Sequence, residues 1–100
     1  MQTIAQRKEM LEALDQGIRN PWIANGRELL RIRSAICGAL TRKQFLEWSW
    51  KQHQFWSRCQ DPGRTFRFDF ESVASVTKNR KALELAAEGL ALVELCEKTA

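Results

Sequence analysis

TRKQFLEWSWKQHQFWSRC, Thr41–Cys59, is the stretch whose reading decides the fold, and it holds Trp48, Trp50 and Trp56, three of the four tryptophans. Thr41 with Gln44 spells a capping box, and Leu40 and Phe45 stand at the positions of a hydrophobic staple. Pro62 forbids continuation past Asp61. A helix is predicted. Turning about 100° per residue, Phe45, Trp48, Phe55, Trp56 and Cys59 share one face, and Leu46, Trp50 and His53 widen it. Lys43, Glu47, Lys51, Gln54 and Arg58 line the opposite strip. So wide an apolar arc calls for neighbours on two sides, which puts this helix at the expected centre of the molecule.

Upstream, Leu29, Ile32, Ile36 and Leu40 repeat at helical spacing, with Asn25 and Glu28 as a cap signature. A helix over about 26–38 follows, carrying Arg27, Arg31 and Ser34 outward and Arg33 at the edge of its apolar stripe. Gly38 is expected to end it and leave a tight αα-corner into the tryptophan helix. Before it, Asn20-Pro21 suits the start of a helical turn, and Trp22 and Ile23 read as anchors pressed into the core. From Thr3 to Ile18 the apolar residues Ile4, Leu11, Leu14 and Ile18 mark the seam of a further amphipathic helix.

Downstream, Asp61-Pro62-Gly63 reads as a turn, and Phe66, Phe68 and Phe70 alternate with Arg67 and Asp69 as strand residues do. With no second strand to pair, residues 64–70 are predicted to form an extended arm pinned across the helices. An edge that pairs with a second copy or a partner chain is the alternative. From Glu71 the chain turns helical again, with Asp69 or Ser72 as cap, breaks near Lys78-Asn79, and ends in a helix over Lys81–Lys98. That last helix has two apolar stripes: Leu83, Ala86, Leu90 and Val93, and Leu85, Leu92 and Cys96. Either it runs through the middle of the bundle or the second stripe is a homodimer seam. The expected fold is all-α: one domain over 1–100, a bundle of about four helices with one extended Phe-rich arm.

Composition is globular, with 44% hydrophobic and 28% charged residues. The three cysteines form no C-x-x-C pair, and neither a leader nor a long apolar run is evident, so a cytoplasmic, reducing setting without membrane insertion is expected. Charge is uneven. Residues 19–60 carry eight bases, Arg19, Arg27, Arg31, Arg33, Arg42, Lys43, Lys51 and Arg58, against Glu28 and Glu47. Such a middle suits an acidic partner, although the same residues would also serve as an ordinary solvated face.

Residues for catalysis are poorly placed. His53 and Cys59 sit six positions apart on one helix, about 240° around it, so they cannot pair within the chain. Cys37, Cys59, Cys96 and His53 total four zinc-type ligands, yet they lack the close pairs that preorganise a zinc knuckle. Glu9 and Glu12, Glu84 and Glu88, and Glu94 and Glu97 are helix-surface spacings, and no phosphate loop or nucleophile elbow is present. The reading is therefore a non-enzyme with neither cofactor nor metal.

Two binding functions remain. A helix-turn-helix with Arg42, Lys43 and Gln44 in a major groove conflicts with a helix expected to be covered on two sides. A non-sequence-specific nucleic-acid binder, its phosphates on Arg27, Arg31, Arg42 and Lys43 and a base on Trp50, is the alternative. The favoured reading is a small regulator, adaptor or inhibitor that binds a protein partner through Arg27, Arg31, Arg42, Lys43, Trp50 and Lys51.

Overall fold

The structure, a computed structural model, describes residues 20–99, so the helix expected over Thr3–Ile18 lies outside the described residues. Among the described residues five α-helices follow one another: α1 Pro21–Ala24, α2 Gly26–Ala39, α3 Arg42–Trp56, α4 Pro62–Glu71 and α5 Arg80–Thr99, with a 3₁₀ turn over Ser72–Ser75. Among the described residues there is no strand, and no helix is long and apolar enough to cross a membrane. The all-α expectation holds. The extended arm does not.

Residues 64–70 are helical, and the reason lies in Asp61-Pro62-Gly63. Asp61 is an N-cap rather than a turn residue: its Oδ1 accepts from the backbone N–H of Gly63 at 2.9 Å and of Arg64 at 3.4 Å. Pro62 takes the first helical position, where its missing N–H costs nothing. Gly63 is the third device, because a Cβ there would come within 2.9 Å of the Trp22 ring. In a helix Phe66 and Phe70 fall on one side and Phe68 on the other. Phe70 then enters the core while Phe68 stacks on Phe55 of α3, ring centroids 4.3 Å apart. Alternation over five residues thus arises from a helix held between two neighbours.

α5 organises the molecule. It packs on α1, α2, α4 and the 3₁₀ turn, and buries Ala82, Leu85, Ala86, Gly89, Val93 and Cys96. Both apolar stripes read in the sequence turn inward: Leu85 and Cys96 are buried, and Leu92 is packed against the core. Of the two readings of this helix, its burial fits the one that runs it through the middle of the bundle. Asn79 starts the helix, its Oδ1 accepting from Ala82 N–H at 3.1 Å. Facing α5, α2 contributes Leu29, Ile32 and Ile36, each at most 1% exposed. Hydrophobic burial of this kind supplies most of the stability of a small domain.

α3 is peripheral, contrary to the central place expected of it. Its neighbours are α4 and the 3₁₀ turn, and only Trp48 and Gln52 of its fifteen residues are buried. The capping box is present, with Gln44 N–H on Thr41 Oγ1 at 3.2 Å and Thr41 N–H on Gln44 Oε1 at 3.0 Å. Upstream caps differ from expectation. Asn25 makes no side-chain cap and instead donates through Nδ2 to the Pro21 carbonyl at 2.8 Å. Gly38 is not a left-handed terminator; α2 runs on to Ala39 and exits through extended Leu40. Asn20 caps α1, accepting from Trp22 N–H at 3.0 Å, and Trp22 packs against the core as expected, whereas Ile23 is 61% exposed.

Candidate functional site

The orientation of α3 is set by indole hydrogen bonds that its periodicity does not reveal. Trp48, fully buried, donates through Nε1 to the Asp69 carbonyl at 2.9 Å and to Ser72 Oγ at 3.0 Å. Trp56 donates through Nε1 to the Asp69 carboxylate at 3.0 Å. The other carboxylate oxygen accepts from Arg33 Nη1 at 2.9 Å, and the Arg33 guanidinium lies over the rings of Trp56 and Phe66, 4.9 and 5.5 Å from their centroids. Burial pushes the Asp69 carboxyl up to about 6, with Arg33 and Trp56 pulling the other way. At neutral pH it is a carboxylate, held by two donors. This cluster ties α2, α3 and α4 together and fixes which side of α3 faces in.

What faces out is an apolar and basic strip. Leu46 and Trp50, one turn apart, are 56% and 61% exposed. The Trp50 ring lies beside that of His53, centroids 6.3 Å apart and planes 27° from parallel. Arg42 and Lys43, on the first turn, are exposed and have no carboxylate within 4 Å among the described residues.

Of the residues singled out in the sequence, Arg42, Lys43 and Trp50 therefore come together. Arg27 and Arg31 do not join them. They sit on the outer side of α2 near its start, and the rest of that helix, about 18 Å at 1.5 Å per residue, separates Arg27 from the loop before α3. Arg31 is already engaged, its Nε 2.9 Å from Glu28 Oε2, with Glu88 at 3.6 Å. Lys51 is turned aside too, donating through Nζ to Ser75 Oγ at 2.9 Å. Leu46 and His53 were missed because they were assigned to the buried arc. The sequence carries a signal for them: Arg42, Leu46, Trp50 and His53 recur at i, i+4, i+8 and i+11, which places them within about 80° of one another on the helix.

Catalytic groups stay dispersed. His53 is exposed on the outer strip, Cys37 lies on α2, Cys59 follows α3, and Cys96 is buried on α5 with its Sγ 3.6 Å from the Pro21 carbonyl. Burial raises the Cys37 and Cys96 thiols above their ordinary range, opposite to the shift that makes a nucleophilic thiolate. Among the described residues, no three His, Cys, Asp or Glu side chains approach closely enough to hold a metal ion. Compared with known proteins, the chain matches no protein-family model, no curated sequence and no solved structure.

Proposed function

We propose that this protein is a non-catalytic binding module that docks a protein partner through the outer strip of α3: Arg42, Lys43, Leu46, Trp50 and His53. The observation that carries the reading is the pairing of two large apolar side chains, more than half exposed, with two cations that have no acidic partner among the described residues. An aromatic anchor flanked by charge is the composition of an interface hot spot. Trp50 also contributes nothing to the indole network that orients α3, so the fold does not require it. Three free thiols support a reducing, cytoplasmic compartment.

The second reading, single-stranded nucleic acid stacked on Trp50 with phosphates on Arg42 and Lys43, draws on the same exposed ring. Two arms of one experiment separate the readings. The immobilised chain is used to capture proteins from an extract of its source, with Leu46→Asp/Trp50→Ala as the control. A protein retained by the parent and lost with the control supports the module. In parallel, tryptophan emission is titrated with single-stranded and duplex DNA over a salt series. A log affinity falling linearly with log salt, abolished by Arg42→Glu/Lys43→Glu, would move the function to nucleic acid.

A further inference from the structure

A second surface lies across α3 from Trp50, toward its C-terminal end. There the chain turns through residues 57–61 and α4 runs back alongside, bringing Phe55 and Phe68 flat against each other with planes 4° from parallel. Next to this stack opens a groove of about 510 Å³, with Phe55, Phe68 and Cys59 as its apolar wall and Arg58, Arg64, Arg67 and Glu71 around its rim.

The three arginines are not equivalent. Arg67 is occupied: Nη2 donates to both carboxylate oxygens of Glu97 at 2.8 Å, Nε reaches Glu97 at 3.2 Å, and Nη1 lies 3.5 Å from Glu71. Arg58 makes only a 3.3 Å bond from Nε to the Gln54 carbonyl, and Arg64 makes no side-chain hydrogen bond among the described residues. Both are exposed, and neither has a carboxylate within 4 Å among the described residues. The fork geometry that Arg67 already satisfies with two glutamates is the one these two leave open.

We propose that this groove docks an acidic peptide segment of a partner protein. An apolar side chain of the peptide enters beside Phe55 and Phe68, and its flanking carboxylates bind Arg58 and Arg64. A wall of carbon rimmed by three cations and one glutamate, that glutamate facing Arg67 at 3.5 Å, suits an aliphatic or aromatic side chain bracketed by acids. A nucleobase is less well served, because Phe55 and Phe68 spend a face on each other rather than offering it to a base. The volume is that of a site for a few side chains, not for an extended strand.

The test uses the full chain and a short fluorescein-labelled peptide with Glu and Asp around a central Leu and Phe. Saturable anisotropy binding is expected, weakened about tenfold or more in Arg58→Glu/Arg64→Glu and parent-like in Lys78→Glu/Lys81→Glu, which reverses two exposed charges elsewhere. The peptide should also slow alkylation of Cys59, read by mass spectrometry, and leave Cys37 unaffected. Arg58→Gln/Arg64→Gln, with circular dichroism, keeps the result independent of any folding defect that charge reversal brings. Absence of saturable binding, equal binding of the Gln/Asn version of the peptide, or parent-like binding by both double variants overturns the proposal. Displacement of the peptide by a single-stranded oligonucleotide that itself needs Arg58 and Arg64 would assign the groove to nucleic acid and overturn it equally.

Discussion

Asp69 is the residue on which three helices meet, and its position was invisible in the sequence. Flanked by Phe68 and Phe70, it read as the outward residue of a strand; it is in fact fully buried between Arg33 and Trp56. Its carboxyl stands at about 6 in the folded chain against an ordinary 3.8, so between those values the folded state binds the extra proton. Linkage then makes stability rise as pH falls through about 6 and level off below about 3.8, by up to about 3 kcal/mol from this group. Asp69→Asn, which cannot titrate, should flatten that segment of a urea-denaturation profile taken against pH; equal slopes in parent and variant would refute the assignment.

Gly89 is a second decisive residue. In mid-helix, Gly→Ala ordinarily stabilises by about 1 kcal/mol. Here a Cβ would stand 2.6 Å from Cε1 and Cζ of Phe70. Gly89→Ala should therefore destabilise by about 1–3 kcal/mol through overpacking, which thermal denaturation would read as a lowered Tm.

At the scale of elements, local signals were legible and partner-dependent ones were not. The Thr41/Gln44 box, the Asn20-Pro21 start and the break near Asn79 were all readable, because a cap involves residues within one turn of each other. α4 was misread, since Asp-Pro-Gly serves turns and helix starts alike and three alternating phenylalanines fit a strand or a helix packed on two sides. Asp61→Ala separates the two: removing the cap should cost about 1 kcal/mol and reduce the helical circular dichroism signal on partial denaturation. A turn residue without a cap would leave both unchanged. The candidate site was half legible for the same reason. Arg42, Lys43 and Trp50 were found from residue type, while Arg27, Arg31 and Lys51 were grouped with them without knowledge of Glu28 and Ser75, the neighbours that hold two of them.

At the scale of the molecule, α5 takes the role that the sequence suggested for α3. Leu, Ala and Gly on α5 allow close approach by α1, α2 and α4, whereas the bulk of three tryptophans on α3 drew attention to a helix packed on one side only. Leu92→Glu follows from this: introducing a charge against the core should cost about 1–3 kcal/mol and leave the elution volume on size exclusion unchanged. A folded variant of parental stability and smaller apparent size would restore the dimer seam.

One side of α3 holds the fold, and the other is the one proposed to meet a partner. Trp48 and Trp50, two positions apart, divide that claim, and the measurement is the urea-denaturation free energy of Trp48→Ala and of Trp50→Ala beside the parent. Trp48→Ala should lose about 3–5 kcal/mol, having emptied a fully buried site and stranded Asp69 and Ser72. Trp50→Ala should stay within about 0.5 kcal/mol of the parent. Comparable losses in the two variants would mean that the outer strip is already covered, and would contradict the binding surface built upon it.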